Sequence, residues 1–144
     1  MIREIWTDPE LLKQVSHHVT PDDDIKSLIQ DMRDTMISRC GIGIAAVQIG
    51  VLRRVVLMCV NGKHRTVINP EYVNISAKKS YMMEGCLSVP NYTVAVKLSK
   101  VVKVTYLNED GKQITTKFNG LEAKCIQHEI DHLNGMTIAT KGDK

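Results

Sequence analysis

At 144 residues the chain suits one compact domain, and 43% hydrophobic residues suffice for a core. Aromatics are only 4%, so aliphatic side chains and methionine must fill that core. No apolar run approaches the roughly 20 residues of a membrane helix, and the first ten residues, with Trp6, Asp8 and Pro9, hold no apolar signal core. The net charge of +3 is dispersed, and neither Arg53-Arg54 nor Lys78-Lys79 is backed by aromatics, which argues against direct nucleic-acid binding.

In chain order, the first clear element is a helix beginning near Thr20. Thr20 is a good N-cap, Pro21 suits the first helical position, and Asp22 to Asp24 favour the positive end of the dipole. Ile25, Leu28, Ile29, Met32 and Met36 recur at helical spacing, and Gly41 is expected to stop the helix as a left-handed cap. A Gly-rich segment follows, Gly41-Ile42-Gly43-Ile44-Ala45-Ala46-Val47-Gln48. Strands are expected over Arg53 to Val60, Thr66 to Asn69 (ended by Pro70), Thr93 to Leu98 and Val101 to Leu107. Glu109-Asp110-Gly111 reads as a hairpin turn into a strand over Gln113 to Phe118. A last helix is expected from Gly120 to Asn134, with Gly135 as its stop. The order predicts an α+β fold, with antiparallel sheets packed around a C-terminal helix and an N-terminal helix. Residues 1–144 are expected to form a single catalytic domain.

The strongest chemical signal is His128-Glu129-Ile130-Asp131-His132, an HExxH placed on the expected last helix. Positions i and i+4 share a helical face, so two imidazoles can bind one metal ion while the glutamate points at its water. A metal lowers the pKa of that water, and a carboxylate can take the proton and pass it on. The bland reading is two histidines on an amphipathic helix by coincidence. A catalytic site wants a third protein ligand. Twelve residues follow His132, and none is His, Glu or Cys; Asp143 lies in a charged tail. The third ligand is therefore sought upstream, where Cys86 is the best candidate. It lies in Glu84-Gly85-Cys86-Leu87-Ser88-Val89-Pro90, where Gly85 allows close backbone approach and Pro90 ends the segment. The alternative for Cys86 is a small buried hydrophobe. Cys125 shares the helical face of His128 and could line a pocket, whereas Cys40 and Cys59 read as core residues. With no CxxC pair, all four thiols suit a reducing cytosol. Gln48 could donate to a developing oxyanion; alone, its loop also reads as a tight turn.

Taken together, the segments 41–48, Glu84 to Ser88 and Gln127 to His132 resemble the three signature motifs of the peptide deformylase family, in the family's order and kind of spacing. The resemblance extends from Asp8-Pro9-Glu10-Leu11 to Leu133-Asn134-Gly135. It implies hydrolysis of the N-formyl group from N-formylmethionyl peptides, with a metal-held water attacking the formyl carbon. It implies that Cys86, His128 and His132 bind the metal and that Glu129 is the general base, then acid. Gln48 and the Leu87 N–H would stabilise the oxyanion. The metal implied is Fe2+, with Zn2+, Ni2+ or Co2+ tolerated. Ile42, Met82, Leu121, Cys125 and His128 would wall the methionine pocket. Gly43, Ile44 and Gly85 would meet the substrate backbone as an added strand, and Glu84 would orient a ligand.

The partner implied is a formylated nascent peptide N-terminus in the cytoplasm, with no membrane involved. The family's helical C-terminal extension docks some members on the ribosome. Nine residues follow Gly135 here, so that docking helix is expected to be lacking, as would suit a minimal or virus-encoded member. Leu98 stands where the family usually has an arginine that helps to hold substrate. A metal-holding but inactive paralogue and an HExxH endopeptidase are the competing readings; intact Glu129 argues against the first, the missing downstream ligand against the second.

Overall fold

A computed structural model of the chain describes residues 1–137. Asp143 and most of the tail after Gly135 lie outside the described residues. The elements are α1 (Pro9–Leu12), α2 (Lys26–Ser38), β1 (Gly43–Ala45), a 3-10 turn (Ala46–Ile49), β2 (Val55–Val60), β3 (Lys63–Ile75), β4 (Lys79–Cys86), β5 (Val89–Ser99), β6 (Val101–Leu107), β7 (Gln113–Asn119) and α3 (Gly120–Leu133). The fold is the expected α+β arrangement. One antiparallel sheet has the order β1-β2-β3-β6-β7, and β4 pairs with β5 in a second, two-stranded sheet.

Strand β2 explains how the layers stack. Val56, Met58 and Val60 join Ile126, Ile130 and Leu133 of α3 in one core. Val55 and Leu57, on the opposite face, join Ile29, Met32 and Met36 of α2 in another. A strand covered on both faces needs no polar alternation, which accounts for the run Val55-Val56-Leu57-Met58. Helix α3 is buried almost all round, from Cys125 through Ile130. Polar groups in so dry a helix must have partners, and Gln127, His128, Glu129 and His132 are all buried there.

Several expectations need correction. Helix α2 starts at Lys26, not near Thr20, and Ile25 at its N-cap makes no side-chain cap bond. Thr20 and Asp23 instead close a turn: Thr20 N–H donates to Asp23 Oδ2 at 2.8 Å, and Asp23 N–H to Thr20 O at 3.0 Å. Arg53 then draws the Asp23 carboxylate away, at 3.4 Å. At the other end the left-handed residue is Cys40 (φ 55°), not Gly41. Cys40 N–H bonds Ile37 O and Gly41 N–H bonds Met36 O, the paired closure of a Schellman motif. Cys40 is accordingly exposed and not a core thiol, whereas Cys59 is partly buried and packs against the α2 core.

Nor does Pro70 end its strand. β3 runs to Ile75, and a register shift between Ile68 and Glu71 absorbs the missing N–H. Asn69 takes φ 50° at that irregularity, and its side-chain amide bonds both backbone groups of Val19. Pro90 likewise lies inside β5; the segment ends earlier, in a turn at Leu87 and Ser88. The expected strands were otherwise recovered, and α1, β1 and β4 are additional. Asp8 caps α1 by accepting from Glu10 N–H at 2.9 Å.

Candidate active site

Each part of the site comes from a different element. Strand β4 delivers Glu84 and Cys86. Its pairing with β5 slips between Gly85 (opposite Thr93) and Cys86 (opposite Val89), a bulge that re-aims the last side chain. Helix α3 delivers His128, Glu129 and His132 one turn apart. The 3-10 turn after β1 delivers Gln48.

Cys86 Sγ lies 3.2 Å from His132 Nε2. One donor atom from each of Cys86, His128 and His132 falls within 4.8 Å of the others. The two imidazoles meet edge to face, with centroids 4.9 Å apart. His128 Nδ1 sits 3.3 Å from Glu84 Oε2, so the carboxylate accepts the Nδ1–H and leaves Nε2 for the site. Glu84 is 1% exposed and His132 fully buried. Burial works against a charge on His128. The Glu129 carboxylate, with help from Cys86 and Glu84, more than offsets this and holds its pKa up at about 10. Burial and Glu129 together push the Cys125 thiol well above its ordinary range, so Cys125 stays neutral.

Donor chemistry decides what this group can hold. A sulfur and two imidazole nitrogens, converging and held by a carboxylate behind one ring, fit a borderline-soft divalent metal such as zinc or iron(II). Three protein ligands leave a coordination position open.

The site opens into a cavity of about 400 Å³. Of the residues anticipated from sequence, Ile42, Gly43, Gln48, Glu84, Gly85, Cys86, Leu87, Cys125, His128 and Glu129 line it. Ile44, Met82, Leu121 and His132 do not: Ile44 is fully buried in the α2 core, Leu121 is 40% exposed, and His132 is fully buried beside Cys86. Gln48 is fixed at both ends of its amide. Its Oε1 accepts from Ala45 N–H at 2.9 Å, and its Nε2 donates to Ser88 Oγ at 3.1 Å, with Cys86 Sγ 3.6 Å away. Gly43 is required by crowding, because a Cβ there would lie 2.6 Å from both Cys125 Sγ and Glu129 Oε2.

Leu98 is buried and does not line the cavity. Among the described side chains of β5, Val89 and Thr93 do. Sequence reasoning also passed over Ser88, Gln127 and Lys124. Ser88 and Gln127 lay inside quoted motifs, and their buried partners could not be read from spacing.

The family model described as polypeptide deformylase matches residues 2–144. A peptide deformylase of Phenylobacterium zucineum is 44% identical over 142 residues, covering 94% of this chain and 84% of the relative. One from Hyphomonas neptunium is 45% identical, covering 93% and 81%. Among solved structures, the peptide deformylase of Ehrlichia chaffeensis in complex with actinonin has a TM-score of 0.94 at 38% identity, covering 97% of this chain and 88% of that one. That of Thermotoga maritima has a TM-score of 0.93 at 36% identity, covering 98% and 97%. A converging Cys-His-His set, a glutamate beside it and a match over nearly the whole length lead to one assignment: the chain belongs to the polypeptide deformylase family.

Proposed function

We propose that residues 1–144 act as one catalytic domain that hydrolyses the formyl group from N-formylmethionyl peptides. The observation that carries this reading is the convergence of Cys86, His128 and His132, two of which, Cys86 and His128, line a cavity walled also by Glu129 and Gln48. Cys86 and the two histidines would hold one divalent metal, Fe2+ in the cell, with Zn2+, Ni2+ and Co2+ compatible with the same donors. When bound, the metal supplies Lewis acidity, lowering the pKa of water and polarising the formyl oxygen.

The chain's own groups do the rest. Glu129 takes a proton from the attacking water as its oxygen bonds to the formyl carbon. Gln48 Nε2 and the Leu87 N–H donate to the oxyanion that develops on the former carbonyl. The C–N bond then breaks, Glu129 returns the proton to the leaving nitrogen, and formate and a free amine result. Glu84 keeps His128 in the tautomer that presents Nε2. The methionine side chain enters the cavity between Ile42 and Cys125. Gly43 and Gly85 let the peptide backbone pass close, and β1, at the edge of its sheet, offers free strand groups for pairing.

No helix among the described residues is long and apolar enough to cross a membrane. The proposed partner is a formylated nascent chain in the cytosol. The test is formate release from formyl-Met-Ala-Ser by protein loaded anaerobically with Fe2+, beside the same protein stripped by a chelator. Turnover only in the loaded sample supports the reading; equal turnover in both, or none, contradicts it.

A further inference from the structure

We propose that Lys124 selects formylated peptides that carry a carboxylate on their third residue, an inference that rests on the deformylase reading. Among the described residues lining the cavity, Lys124 is the one lysine or arginine, and His128 is committed to the reacting centre. The acidic ones, Glu84 and Glu129, are 1% and 3% exposed and face the reacting centre. Lys124 is partly buried, and the acid nearest it in sequence, Glu122, is taken by Arg65 Nε at 2.7 Å. A lysine so placed lays its stem along the apolar wall and carries its ammonium to the rim.

The register follows from two spacings. Lys124 precedes His128 by four residues, so it lies on the same helical face, about 6 Å toward the N-terminus of α3. A peptide extended along the β1 edge advances about 3.3 Å per residue, and its side chains alternate, so residues one and three point the same way about 6.6 Å apart. With its formyl group at Cys86 and His128 and its first side chain against Cys125, its third faces the turn that bears Lys124. Thr93 and Val89 across the cavity are uncharged, so the mouth offers an anionic side chain one cation and no competing acid among its exposed lining residues.

The test compares kcat/KM for formyl-Met-Ala-Glu-amide, formyl-Met-Ala-Gln-amide and formyl-Met-Glu-Ala-amide, the amide removing the terminal carboxylate. Metal-loaded wild type, Lys124→Met and Lys124→Glu are assayed in parallel. Wild type should favour glutamate over glutamine at position three by about three- to fivefold, through KM, and added salt should erode the preference. The ratio should approach one in Lys124→Met and invert in Lys124→Glu. A ratio unchanged in Lys124→Met, no preference in wild type, or a preference that follows position two would overturn the proposal while leaving deformylation intact. Absence of formate from all three peptides would instead overturn the deformylase reading, and the proposal with it.

Discussion

Gln127 of α3 holds both backbone polar groups of Ser99 in β5: Ser99 N–H donates to Gln127 Oε1 at 3.1 Å, and Gln127 Nε2 donates to Ser99 O at 2.9 Å. The same Nε2 reaches Ala123 O at 2.9 Å. β5 pairs with β4, which carries Glu84 and Cys86, while α3 carries the two histidines. One buried amide therefore ties the two halves of the site. Gln127→Leu would leave two buried groups of Ser99 unpaired, at a cost of about 2–5 kcal/mol. Urea unfolding of the metal-free protein should show this loss, and metal affinity should weaken with it. Stability within 0.5 kcal/mol (roughly the scatter for neutral surface changes) would contradict the tie.

Glu84 Oε2 lies 3.3 Å from His128 Nδ1, and the proposed function gives it the role of orienting that ring. Glu84→Gln keeps the shape but removes the charge that fixes the ring. Metal affinity should fall by about 10- to 100-fold, with the fold retained. Competitive titration against a chromogenic chelator measures it, and an unchanged affinity would detach Glu84 from the site.

Gly43 faces Cys125 and Glu129 at a distance no Cβ tolerates. Both neighbours are buried on α3 and have little room to yield. Gly43→Ala should therefore push the Glu129 carboxylate aside, at a cost of about 1–3 kcal/mol in stability. Formate release should drop more than substrate affinity does. Parallel melting and kinetic measurements separate the two effects.

The charge on His128 gives the metal-free protein a pH dependence of definite sign. Its folded pKa of about 10 stands above the ordinary 6.5. The stabilisation this provides is fully present below about pH 6.5 and is lost as pH rises through about 10. The Tm of stripped protein should thus fall across that window. Metal binding at pH 7 must displace the proton, so affinity should rise with pH. Calorimetry in two buffers of different ionisation enthalpy counts the protons released; a count of zero would contradict the assignment of His128 as a ligand.

The site was more legible in the sequence than the fold's boundaries were. Helical spacing alone puts His128 and His132 on one face, and the lack of His, Glu or Cys after His132 sends the search upstream to Cys86. Boundaries failed where local chemistry had two solutions. Thr20 and Asp23 can cap a helix or close a turn, and Arg53, thirty residues on, favours the turn. Pro70 can end a strand or sit at a bulge, and Asn69 supplies the left-handed residue that permits the bulge. Cys40 reads as core by residue type, yet the Schellman closure turns it to solvent. Met82 and Leu121 were assigned to the pocket wall by resemblance, and their distance from the cavity lining depends on how β4 and α3 are seated. Gln127 and Ser88 were invisible because their roles are made of partners 28 and 40 residues away.

The most direct measurement pairs metal content with turnover in wild type and Glu129→Gln, both loaded under the same anaerobic conditions. The account predicts one metal per chain in each protein, with formate released from formyl-Met-Ala-Ser by wild type and at least about 100-fold less by the variant, as expected for loss of a general base. Equal turnover in the two proteins, or one bound metal with no turnover in wild type, would contradict it.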